Sequence, residues 1–223
     1  MKKILTLSLI FALIPLFSVR VHADSPVTST PFSDAYMDIE IVRKARAGGV
    51  LDSEMAGYLS SKKNPIDKKA AVINALSWKY GGKDNAKRYI AYLEKIYRAS
   101  PGNLDMNTLR GDEIFCLGYL TLMDDYFHPE KALPLLEKAG KKMKNSLTVS
   151  MILAIARAQD VMDVDTDRCE PWRITEKILQ NKKLKCDLRP GAKKIIVNYM
   201  ALYKEDCCEH ATRIMVRRAE VSS

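Results

Sequence analysis

Leu109–Gly140, LRGDEIFCLGYLTLMDDYFHPEKALPLLEKAG, is the stretch that decides the fold. Ile114, Leu117, Tyr119 and Leu122 recur at helical spacing, and Pro129 opens a second segment with Ala132, Leu136 and Ala139 on one face. The first helix is expected over Leu109 to Tyr126, so the turn that leads to Pro129 is short. Two brief helices so connected cannot each bury an apolar stripe alone, and antiparallel pairing solves that problem. Gly118 on the first helix lets the second approach, and Ala132 and Ala139 do the same from the other side. Pro134 conflicts with a helix begun at Pro129, because a proline in a helix interior costs about 3 kcal/mol. Either the helix starts later, near Lys131, or its first turn is distorted.

The same pattern extends outward. Ser33 is placed to cap a helix with the stripe Ala35, Ile39, Val42 and Ala45, stopping at Gly48-Gly49. Asp52 and Ser53 open a short helix with Met55, Tyr58 and Leu59. Asn64-Pro65-Ile66-Asp67 reads as an N-cap, a first-position proline and a first-turn acid, starting a helix with Ala70, Ile73, Leu76 and Tyr80. Further helices follow through Ala86 to Tyr97, Leu147 to Met162, Pro171 to Leu179 and Pro190 to Leu202. No stretch alternates as a strand. The fold class expected is all-α, built of stacked antiparallel helical hairpins, in one domain over residues 33–204. A polar N-terminal segment, 24–32, precedes it and a basic tail, 205–223, follows.

Leu117-Gly118 followed by Lys131-Ala132, Leu136 and Lys138-Ala139-Gly140 resembles a tetratricopeptide repeat or its Sel1-like relative. Ala86, Ile90 and Leu93 repeat the second-helix pattern more faintly, with Ser77-Trp78 where Leu-Gly stands in those families. Ala86 and Ala132 lie further apart than the usual period of about 34 residues. The resemblance implies a surface that holds a protein or peptide, with Asn74, Trp78, Tyr119 and Arg157 as candidate contacts.

The chain opens with Lys2 and Lys3, an uncharged apolar run from Ile4 to Val19, and Val21-His22-Ala23 before Asp24. That is the layout of a bacterial-type secretory signal peptide over residues 1–23. The run, interrupted by Pro15, falls short of the roughly 20 residues a spanning helix needs. No cysteine sits near the cleavage point, so a lipoprotein is not expected, and a periplasmic or secreted location is. Removing Lys2, Lys3 and Arg20 lowers the formal charge from +9 to +6. A nucleic-acid partner is not expected. Paired lysines at Lys62-Lys63, Lys141-Lys142 and Lys182-Lys183 suit helix C-termini, where cations complement the dipole. They also suit an acidic partner such as anionic lipid or polysaccharide.

Five cysteines remain after the leader: Cys116, Cys169, Cys186, Cys207 and Cys208. Cys116 reads as a buried small hydrophobe, and Cys169 with Cys186 as a bridge across one short helix. His128 and His210 are the two histidines past the leader, at a turn and in the tail, which is a poor basis for a nucleophilic triad. No GxSxG, HExxH or phosphate-loop motif is present, so no catalytic residue is assigned. One local cluster has ligand-like spacing: Asp163-x-Asp165-x-Asp167 resembles the start of a calcium loop. Arg168 replaces its bend-forming glycine and Ile174 its bidentate Glu. The expectation is an exported, non-catalytic binding module for a protein or peptide in the cell envelope. The alternative is a calcium-dependent binding protein or hydrolase acting through Asp163, Asp165 and Asp167.

Overall fold

The computed structural model describes residues 25–164, 167–205 and 207. The expected leader and most of the basic tail lie outside the described residues. Among the described residues there are nine α-helices and no strand: α1 Glu40–Gly48, α2 Ser53–Ser60, α3 Ile66–Leu76, α4 Asn85–Tyr97, α5 Gly111–Asp124, α6 Leu133–Lys142, α7 Leu147–Val164, α8 Glu170–Gln180 and α9 Pro190–Met200. The all-α expectation holds.

The centre is α5. Its residues from Glu113 to Leu120 are all buried, as are Leu122 to Asp124. It packs against α3, α4 and α6. The α5–α6 pair runs antiparallel: a Cβ on Gly111 would meet Lys142 and Met143, whereas one on Gly118 would meet Leu135 and Leu136. Ala132 and Ala139 are fully buried on the facing side. The Pro134 conflict resolves by a late start. Pro129–Lys131 is a separate 3₁₀ turn, and α6 begins at Leu133, so Pro134 sits in the first turn, where no backbone donor is lost.

Other expected boundaries shift where tertiary bonds claim the local groups. Ser33 does not cap α1. It lies in a 3₁₀ turn, Phe32–Tyr36, its N–H donating to Asn74 Oδ1 at 2.8 Å and its hydroxyl accepting from Arg46. Asn64 does not cap α3 either, since its amide donates to Tyr58 O. Tyr80 is not helical, because α3 stops at Leu76. The segment before residue 32 is polar in composition, yet Pro26, Val27 and Thr30 are buried in it.

A charged network clamps four helices at the N-terminal end of α5. The fully buried Lys69 donates to Asp112 Oδ2 at 2.6 Å. Arg110 donates to Asp112, to Glu113 Oε1 at 2.6 Å and to the carbonyl of Ser60 that ends α2. Tyr97 of α4 donates to Glu113 Oε2 at 2.7 Å. Burial pushes the Asp112 carboxyl up, but the bonds from Arg110 and Lys69 outweigh it and leave it below the usual range. Buried charges satisfied in this way fix geometry more than they add stability, but losing one partner costs about 3–5 kcal/mol.

The Gly118 seam sets a prediction whose sign opposes helix propensity. Gly→Ala in a helix interior ordinarily gains up to about 1 kcal/mol. At Gly118 the new methyl would meet Leu135 Cβ at 3.0 Å and Leu136 Cγ at 3.1 Å; at Gly140 the nearest atom is Leu153 Cδ2 at 3.6 Å. Gly118→Ala is expected to lower Tm by several degrees, as overpacking costs about 1–3 kcal/mol. Gly140→Ala is expected to leave Tm unchanged or raise it. Thermal denaturation of both variants checks the pair.

Candidate functional site

Four aromatic side chains meet at the surface where α3 and α5 end. Trp78 packs edge-on against Tyr126, ring centroids 5.3 Å apart; Tyr126 contacts Phe127 at 4.2 Å, and Phe127 meets Tyr80 edge-on at 6.0 Å. Trp78, Tyr80 and Phe127 are 38%, 79% and 52% exposed, a large apolar area to leave in water. Two loops supply the quartet, 77–84 after α3 and 125–128 after α5.

The first loop is held rigidly. Ser77, which ends α3, adopts φ 60° and ψ −178°, a conformation nearly reserved for glycine, and its N–H donates to Asn74 O. Gly82 has φ 86°, and a Cβ there would stand 3.2 Å from the carbonyl oxygen of Asp124. Lys83 N donates to that same carbonyl at 3.1 Å, and Lys83 Nζ donates to the carbonyls of Gly49 and Leu76. The second loop is braced by Asp125, whose carboxylate pairs with His128 Nδ1 at 2.9 Å and Lys131 Nζ at 2.7 Å. The Lys131 bond chiefly holds the Asp125 carboxyl below the usual range.

Asp124 joins the two loops. Its Oδ2 accepts from Ala86 N at 2.7 Å and so caps α4 from another helix, since Asp84, the residue before α4, makes no side-chain cap. Its Oδ1 is buried and has no hydrogen-bond partner among the described residues. Burial pushes the Asp124 carboxyl up to about 6, with the Asp84 charge adding to the rise. The Ala86 and Asn85 N–H groups and the Lys83 charge oppose it.

The expected contact residues divide. Asn74 and Tyr119 are buried and cannot touch a partner: Asn74 donates to Thr30 O and to Tyr119 Oη, both at 3.1 Å, tying the N-terminal segment to α3 and α5. Burial pushes the Tyr119 phenol well above its ordinary range. Trp78 does reach the surface, from a loop and not from a helix face. Arg157 is exposed on α7 and pairs with Glu137 at 2.9 Å, away from the quartet's loops. Tyr80, expected on a helix stripe, and Tyr126 and Phe127 are not among the contact residues expected from the sequence. Their signal is aromatics crowded beside two turn motifs, Gly81-Gly82 and His128-Pro129.

The acidic cluster is not one loop. Asp163 belongs to the last turn of α7, its side chain and all of Asp165 lying outside the described residues. Asp167 accepts from Cys169 N at 3.1 Å and pairs with Arg173 Nη1 at 2.6 Å. The expected Cys169–Cys186 bridge is also corrected: Cys169 is bonded to Cys207, and Cys186 is an exposed free thiol. The reason is topological. Lys185 N donates to Asn145 O, drawing the segment after α8 toward α7, while the 3₁₀ turn Ala201–Lys204 packs on α8 and delivers Cys207. Cys116 is fully buried as expected, and burial pushes its thiol up to about 12, which removes it as a nucleophile.

No protein-family model matches the chain, and no curated protein or solved structure matches it either. The likeness to tetratricopeptide and Sel1-like repeats therefore rests on the sequence pattern alone: Leu117-Gly118, Lys131-Ala132, Leu136 and Lys138-Ala139-Gly140, with the fainter Ala86, Ile90 and Leu93.

The Asp124 carboxyl gives a signed pH prediction. Its folded pKa lies above the ordinary value, so the folded state binds the extra proton between about pH 4 and pH 6. Stability from this group therefore rises as pH falls through that window and is lowest above it. Asp124→Asn keeps an acceptor for Ala86 N and removes the charge. It is expected to melt about 5 °C above wild type near pH 7.5, from a difference of about 2 kcal/mol, with the gap closing near pH 4.5. Paired thermal melts at both pH values check it.

Proposed function

We propose that this chain is an exported, non-catalytic binding protein that takes a protein or peptide partner on the Trp78–Tyr80–Tyr126–Phe127 quartet. The observation that carries the reading is the exposure of Trp78, Tyr80 and Phe127 on a braced scaffold. Rigid aromatics lose little conformational entropy on contact and dominate the energetics of protein interfaces. The edge-on packing, at 70° for Trp78–Tyr126 and 89° for Tyr80–Phe127, makes a corrugated surface. Side chains of a partner wedge into such a surface, whereas a sugar ring favours a single flat face. Asp125, His128 and Lys131 provide the polar rim typical of such sites.

Export is supported by the leader-like residues 1–23 and by the Cys169–Cys207 bond, which suits an oxidising compartment. Among the described residues no helix is long and apolar enough to cross a membrane. The non-catalytic reading is supported at the N-terminal end of α5, where the charges of Lys69, Arg110, Asp112 and Glu113 satisfy one another. The calcium or hydrolase alternative has less behind it, because Asp167 already serves Cys169 N and Arg173.

Selection of a random peptide library on the purified protein tests the proposal. Recovered peptides are expected to lose about tenfold or more in affinity when Tyr80→Ala and Phe127→Ala are combined, with Tm and helical circular dichroism unchanged. Peptide binding that survives the double substitution would refute the assignment.

A further inference from the structure

The opposite end of the α5–α6 pair carries a second surface of different chemistry. Lys185 N donates to Asn145 O at 2.7 Å and Leu147 N donates to Lys185 O at 3.3 Å, forming a parallel bridge between Ser146 and Lys185. This bridge zips the segment that follows α6 to the segment that follows α8. Lys141, Lys144, Lys182, Lys183 and Lys185 are all exposed along the joined segments. None of the five has an ion-pair partner among the described residues. Residues 141–146 and 181–187 contain one acid, Asp187, and its carboxylate is committed to Thr148 N at 2.9 Å and to the Thr148 hydroxyl. Dipole compensation at one helix end explains two of these lysines; it does not explain two lysine-rich ends fastened together.

We infer that this lysine ridge docks the protein onto an anionic lipid surface. The residues favour that partner over other polyanions. All five cations are lysines, strongly hydrated point charges suited to a field of phosphates, and no arginine fork stands among them. Among the described residues no exposed large hydrophobic side chain lies in either segment, so the ridge has no aromatic on which a sugar or base would stack. Adsorption is therefore peripheral, driven by charge and reversible by salt. The geometry is also suitable. Gly111 of α5 lies beside Lys142 and Met143 at this end, whereas the quartet grows from Asp124 at the other, about 20 Å away along the helix axis. A molecule seated on its lysines holds the aromatic quartet away from the bilayer. The ridge stands independently of the quartet's assignment.

Flotation of the full chain with vesicles tests it. Phosphatidylcholine vesicles give the baseline and also report any partitioning of the apolar leader. Vesicles containing phosphatidylglycerol are expected to bind more protein, with the excess lost as salt shortens the screening length to a few ångströms, about 3 Å at 1 M. Lys182→Gln, Lys183→Gln and Lys185→Gln together are expected to reduce that excess on the order of a hundredfold, at roughly fivefold per lysine near a charged surface. Circular dichroism of the triple variant is expected to match wild type, because the three side chains are exposed. Equal binding to both vesicle types, or an excess that the triple variant retains, overturns the inference. So does competition by a soluble acidic polysaccharide that the variant resists while its vesicle binding is unchanged.

Discussion

One constraint organises the centre of the molecule: between its charged ends α5 is apolar on every side and must be buried on every side. A helix of 14 residues with eleven buried has no solvent face, so it cannot belong to a simple two-helix surface hairpin. Helices must cover it from several directions, and α3, α4 and α6 do so. Gly118 is the point at which this covering is tightest. The approach of Leu135 and Leu136 there leaves no room for even a methyl group.

Burying a helix whole also buries its ends, where backbone groups lack partners and polar residues gather. The two ends of α5 meet this demand differently. At the N-terminus the charges Lys69, Arg110, Asp112 and Glu113 are cross-paired, and Glu113 Oε2 also accepts from Arg110 N at 3.0 Å. The solution is fully satisfied and rigid. At the C-terminus Asp124 uses its carbonyl and one carboxylate oxygen to organise the next loop and α4, and the second oxygen goes without. This carboxylate therefore lies where the two loops that carry the aromatic quartet are joined. Strain at Ser77 and an orphaned carboxylate oxygen gather where the surface is most apolar, a coincidence that distinguishes this site from ordinary surface.

Much of this was legible in the sequence. Helical periodicity and Gly/Pro punctuation locate most of the helices, and the small residues Gly118, Ala132 and Ala139 mark a seam that the structure contains. The losses come from bonds distant in sequence. Ser33 is a good local cap until Asn74 claims its N–H, and Asn64 is one until Tyr58 O claims its amide. Trp78 was within reach because a tryptophan beside a helix end is conspicuous, but Tyr126, which packs against it, and Phe127 come from a second loop. Asn74 and Tyr119 sit at helical positions compatible with either face, and contacts with Thr30 and Phe32, distant in sequence, help to make them core. Cys169 could not be matched correctly from spacing, because the choice depends on where the chain after α8 is led.

Native-state hydrogen exchange tests the central role of α5 most directly. The amides of Ile114 to Met123 are expected to exchange slowest in the molecule, at the rate of global unfolding. Protection of Lys83 and Ala86 N–H, bonded to Asp124, should exceed that of their loop neighbours. Exchange of α5 that runs ahead of α8 and α9 would contradict the account.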